Sequence, residues 1–168
     1  MKKSSTTVPL FSTAALFFIL CVCAGAAPLR NWPDMSLGQH DRTVRVLQYL
    51  LSAQGQRVPA DGFFGRGTQK ALRQFQQAHQ LVATGETNDP TWEVLVVSLH
   101  QGSKGLAVRA AQLELREAGY AAATDGVFGL QMKKITQKYQ KQTGHTADGV
   151  IGRNTWHELV AGDGAMGD

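Results

Sequence analysis

Between Asp61 and Glu86 the chain carries Arg66, Lys70 and Arg73 and no carboxylate; between Asp125 and Asp148 it carries Lys133, Lys134, Lys138 and Lys141 and again none. Cations and amides set together, Gln76 near the first group and Gln140 in the second, suit charge-assisted hydrogen bonding to carboxylates. A solvated helix face has the same composition, and the residues alone leave both readings open. Chemistry beyond binding finds little support. The histidines at 40, 79, 100, 145 and 157 lack the spacing of an H-E-x-x-H metal site, and no G-x-S-x-G stretch is present. Glycosidic cleavage needs two acids facing one cleft. Asp61 and Asp125, each followed by glycine, read instead as loop caps that accept from nearby backbone N–H groups.

The two basic stretches are copies of one another. DGFFGRGTQKALRQFQQ starts at Asp61 and DGVFGLQMKKITQKYQK at Asp125, and the correspondence runs without a gap over 38–96 against 102–160. Val44-Arg45 pairs with Val108-Arg109, Gln48 with Gln112, Phe64-Gly65 with Phe128-Gly129, Gln76 with Gln140, and Thr91-Trp92 with Thr155-Trp156. Two copies are too few for a stacked solenoid, so the chain reads as a tandem duplication. Its parts are an N-terminal lead (27–37), a first domain (38–96), a linker (97–101), a second domain (102–160) and a tail (161–168).

The positioning elements follow from periodicity. Val44, Leu47, Gln48 and Leu51 recur at helical spacing, as do Val108, Ala111, Gln112 and Leu115, and this helix stops near Gly55 or Gly119. The buried amide of Gln48 or Gln112 is expected to satisfy backbone groups of the adjacent loop. A second helix carries Thr68, Ala71, Leu72 and Phe75, matched by Met132, Ile135, Thr136 and Tyr139. A third opens at Asp89-Pro90, with Asp89 as N-cap and proline in the first turn, and buries Trp92 and Leu95; Trp156 and Leu159 repeat them. Between the first two helices the D-G-x-F-G loop turns Phe64 or Phe128 inward. The expected fold class is all-α, two tandem three-helix units.

The pattern D-G-x-F-G-x-x-T-x-x-A-x-x-x-F-Q, closed by D-G-x-x-G-x-x-T-W-x-x-L, resembles the peptidoglycan-binding domain, a three-helix module of secreted bacterial cell-wall enzymes. The resemblance covers both copies. It implies an all-α fold, no catalysis by the module, and peptidoglycan as partner; separately, no cofactor or metal is expected. Copy one departs at its closing loop, TGETNDPTW, where Asn88 replaces a glycine and tolerates a left-handed conformation better than most residues. Copy two has Met132 at the threonine and Tyr139 at the phenylalanine. The resemblance and the charge point to Phe64, Gly65, Arg66, Thr68, Lys70 and Gln76 in copy one as ligand contacts, and to Gly129, Lys134, Lys138 and Gln140 in copy two. Specificity is expected around Gly65, Arg66 and Thr68, with cationic adhesion through Lys134 and Lys138.

Lys2 and Lys3, the apolar run from Val8 to Val22 and Ala24-Gly25-Ala26 have the form of an export signal cleaved after Ala26. Cys21 and Cys23 fall inside it. The chain of 168 residues has 17 basic and 13 acidic groups; loss of Lys2 and Lys3 lowers its net charge from +4 to about +2. That balance argues against nucleic acid, and no stable membrane insertion is expected after cleavage. The remainder outside the two copies is too short for a catalytic domain, so the expectation is a secreted or wall-associated binding protein rather than an enzyme. The alternative is a secreted scaffold or inhibitor whose partner is another extracellular protein, such as a cell-wall hydrolase.

Overall fold

A computed structural model describes residues 31–162. The export signal and the end of the tail lie outside the described residues. Among the described residues the chain forms six helices: α1 (Arg42–Ala53), α2 (Arg66–Ala78) and α3 (Asp89–Leu95) in copy one, then α4 (Leu106–Glu117), α5 (Leu130–Gln142) and α6 (Arg153–Ala161) in copy two. Among the described residues the only β pairing is in isolated antiparallel bridges, His40 with Phe63, Lys104 with Val127, and Leu99 with Ile151. The all-α expectation is met.

Each boundary has a local cause. Asp41 starts α1 by accepting from Val44 N at 2.8 Å, satisfying one of the helix's orphan donors. Two residues past its end the chain turns at Gly55, with φ of 86°, a conformation open to glycine at little cost. Gly119 repeats this after α4 with φ of 84°. At α3 the cap differs from the expectation: Asn88, not Asp89, accepts from Thr91 N at 3.0 Å. Asn88 is extended, with φ of −156°, so its substitution for glycine has nothing to do with a left-handed backbone. Asp89, released from capping, accepts from Trp32 N at 2.9 Å.

The stripes named above are buried, and Phe64, Phe128, Trp92 and Trp156 are completely so. The helix α1 buries more than its stripe. Val46 and Leu50 are also inside, on a second face directed at α4, the helix α1 packs against most extensively. On α4 the equivalent face is Ala110 and Glu114, with Ala107 beside them, and the small alanines let the two axes approach. The result is one continuous hydrophobic core running through both copies.

The segments ahead of each copy belong to that core. Trp92 Nε1 donates to Pro33 O at 2.9 Å, and Trp156 Nε1 donates to Val97 O at 2.7 Å. Met35 and Leu99, two residues on from each, are buried, and their carbonyls accept from Thr87 N and Ile151 N. Trp32 stacks on Trp92 with ring centroids 5.4 Å apart and meets His157 of copy two edge-on at 5.0 Å. The lead is thus a strap across both copies, and residues 97–99 do for copy two what 33–35 do for copy one.

Candidate ligand-binding surface

Four buried glutamines organise the loops between the helices. In copy one the Gln48 amide donates to Asp61 Oδ1 (2.8 Å), Phe63 O (3.0 Å) and Thr68 Oγ1 (3.1 Å), and its oxygen accepts from Gly62 N at 2.8 Å. Gln112 repeats the contacts to Asp125, Val127 and Gly126. Met132 stands where Thr68 would be, so one partner is lost. Gln76 clamps the later loop of copy one through Glu86 O (2.9 Å), Thr91 Oγ1 (3.0 Å) and Gly85 N (2.9 Å). Gln140 does so in copy two through Asp148 Oδ1 (2.9 Å), Val150 O (2.8 Å), Thr155 Oγ1 (3.1 Å) and Gly149 N (2.9 Å). Each amide thus replaces several water contacts with fixed protein ones, which burial requires.

The loop aspartates act with these clamps. The Phe63 N–H, then the Gln48 amide, hold the Asp61 carboxyl below the ordinary carboxylate range. For Asp125 the Gln112 amide comes first and the Val127 N–H second. Both acids are therefore loop caps, as their D-G context suggests. The buried-amide reading of Gln48 and Gln112 also holds.

This burial sorts the candidate contacts. Phe64 is core, and Gln76 and Gln140 spend their amides on the loops. Thr68 is buried at 3% exposure with its hydroxyl between Gln48 Nε2 and Phe63 O. These four side chains, expected as ligand contacts, lie inside the fold beneath the surface. Gly65 and Gly129 sit at the N-caps of α2 and α5, their N–H groups closing tight turns onto Phe63 O and Val127 O. Arg66, Lys70, Lys134 and Lys138 are exposed, and none has an ion-pair or hydrogen-bond partner among the described residues. Arg73 differs, its Nε donating to Thr84 O at 3.2 Å.

Surface depressions border these elements, one of them, of about 120 Å³, beside Gly129, Gln131 and Ile135 in copy two. Another, of about 430 Å³, lies between the end of α1 and α2 and is lined by Gln56, Arg57, Gly67, Lys70, Ala71 and Gln74, with Gly55 at its edge. Sequence reasoning missed Arg57, which precedes Asp61 and so falls outside the acid-free stretch. A third, of about 470 Å³, borders the closing loop of copy two beside His145, Asn154 and Arg153. Arg153 is committed elsewhere, forming an ion pair through Nε to Glu93 Oε2 of copy one at 2.5 Å. No cluster of histidine, cysteine or acidic residues that could hold a metal ion is found among the described residues.

Similar sequences occur in known proteins. Residues 40–95 and 104–159 each match the family described as "Putative peptidoglycan binding domain". The chain is 40% identical over 67 residues to the zinc D-Ala-D-Ala carboxypeptidase of Streptomyces albus G, covering 37% of this chain and 26% of that protein. It is 31% identical over 103 residues to the N-acetylmuramoyl-L-alanine amidase CwlM of Mycobacterium tuberculosis, covering 54% of this chain and 25% of the amidase. It thus spans about a quarter of the length of each relative. A solved peptidoglycan-binding protein from Clostridioides difficile, in complex with glutamine hydroxamate, is 36% identical over 38% of this chain and 40% of its own, with a TM-score of 0.37. The two matched segments take in nearly all of the six helices, and the chain belongs to the peptidoglycan-binding domain family, whose module it carries twice.

Proposed function

We propose that the protein is a secreted, non-catalytic cell-wall protein that recognises peptidoglycan through its tandem modules. The observation that carries this reading is the coincidence of two family matches with exposed cations, Arg66 and Lys70 on α2 and Lys134 and Lys138 on α5, that have no partner among the described residues. Peptide stems of the wall offer carboxylates and amides, which such cations and the adjoining loop edges suit. Four of the acids are committed within the fold: Asp61, Asp125 and Asp148 accept from backbone N–H groups of their own loops, and Glu114 is buried between the copies. No helix among the described residues is long and apolar enough to cross a membrane.

Incubation with purified sacculi tests the reading. The protein should pellet with them and release no soluble fragments, and protein recovered from culture medium should begin at Ala27. Release of muropeptides or free amino groups by the purified protein would make it a hydrolase and overturn the non-catalytic assignment.

A further inference from the structure

The duplication allows each groove to be compared with its own counterpart, and at the groove beside α2 the two copies differ sharply. In copy one its polar lining is Gln56, Arg57, Lys70 and Gln74, and its floor is Gly67 and the buried Ala71. Neither Arg57 nor Lys70 has an acidic partner among the described residues. In copy two the corresponding positions are Tyr120, Ala121, Lys134, Lys138, Gln131 and Ile135. The arginine is gone, the glycine has become a glutamine and the floor alanine an isoleucine. The Tyr120 ring lies edge-on to Tyr139 at 5.9 Å, and its hydroxyl donates to Gln142 Oε1 at 2.6 Å.

We propose that the groove of copy one receives the free C-terminal carboxylate of a short peptide, and that the smaller depression of about 120 Å³ beside Gln131 and Ile135 in copy two, where alanine replaces the arginine, does not. The proposal rests on the wall-binding reading and names the ligand chemistry within it. Two cations facing one groove ask for a negative charge, and arginine's planar fork matches a carboxylate with two parallel hydrogen bonds. Gln56 and Gln74 offer donors and acceptors for the amides just before that carboxylate. The floor carries no side chain beyond a methyl, so it admits a narrow chain with small alkyl groups. The lining contains no aromatic ring, and with none the groove offers no stacking surface for a sugar.

The test is titration of the full protein with N-acetyl-D-alanyl-D-alanine, with the C-terminal amide of that dipeptide, and with inorganic phosphate, followed by backbone amide NMR. The acid should shift Gly55, Gln56, Gly67 and Lys70 saturably. The amide should bind at least roughly tenfold more weakly, and phosphate should not compete at equal concentration. Gly67→Gln installs the copy-two residue where an added Cβ meets nothing within 4 Å, so it should fold normally and lose binding roughly tenfold; Arg57→Ala should do the same. Equal binding of acid and amide, competition by phosphate, saturable shifts confined to copy two, or wild-type affinity in both folded variants would overturn the proposal. Sacculus pelleting separates the two readings. Wild-type protein that pellets while the titration fails leaves wall binding standing without this site, whereas failure to pellet removes the wall-binding reading whatever the titration shows.

Discussion

Arg42 on α1 reaches across the seam between the copies to Glu114 on α4, with Nη1 3.8 Å from Oε2. Glu114 is 3% exposed and occupies the position that Leu50 fills in copy one. A carboxylate has therefore been placed where the other copy has an apolar contact. Desolvation raises its pKa from 4.5 to about 7, against the opposing pull of Arg42, with Glu117 and Asp41 adding to the rise.

The seam should consequently loosen as pH rises. Between 4.5 and about 7 the unfolded chain carries the Glu114 charge and the folded one does not, so the folded state binds the extra proton and stability falls across that window. The full loss is at most about 3 kcal/mol. Glu114→Gln should flatten the melting temperature between about pH 5 and 8 and raise it at the upper end. An unchanged slope would mean that Glu114 is not the titrating group. Measurement above pH 5 avoids Asp61 and Asp125, whose lowered pKa values act with the opposite sign, stabilising until acid protonates them.

The shared core predicts a single unfolding transition. Trp156→Ala should cost about 3–5 kcal/mol, and because both copies share one core the loss should lower one common melting temperature. Trp32→Ala, in the strap outside both repeats, should be destabilising by a comparable amount. Calorimetric and van't Hoff enthalpies should agree. Two resolved transitions, or a silent Trp32→Ala, would contradict the continuous core.

The glutamine clamps should be costly to remove. Gln140→Leu leaves the Gly149 N–H buried without a partner and frees the loop from Asp148 to Thr155. The expected cost is about 2–4 kcal/mol, more than one surface hydrogen bond. Urea denaturation measures it, and hydrogen exchange at Gly149 should accelerate. A change within about 0.5 kcal/mol would place that loop under other control.

Much of this architecture was legible because each feature was written twice. Gln48 interrupts an apolar stripe and Gln112 does the same at the same register, so a buried amide was a readable conclusion. The seam was harder to read. Val46 and Leu50 fall on the flank of the stripe set by Val44, Leu47 and Leu51, and periodicity alone does not say that a second helix covers that flank. The strap was missed for another reason. Pro33 and Met35 stand in register with Val97 and Leu99, but the match is one of role, with no identical residue to reveal it. The site was least legible. The fixed-motif residues Phe64, Thr68, Gln76 and Gln140 signal the fold, since a motif that organises a loop is buried within it, whereas Arg57 belongs to no motif and emerges only when the chain is folded.

Equilibrium binding of the full protein to sacculi, measured at rising salt for wild type and for Lys134→Glu with Lys138→Glu, tests the central claim most directly. Both lysines are exposed and unpaired among the described residues, so the double reversal should leave folding intact. Wild type should bind saturably and lose affinity between about 0.05 and 0.5 M salt as exposed charge contacts are screened. The reversed variant should bind at least roughly tenfold more weakly at low salt and respond less to salt. No saturable binding by wild type, or an affinity indifferent to both salt and charge reversal, would contradict recognition of the wall through these cationic faces.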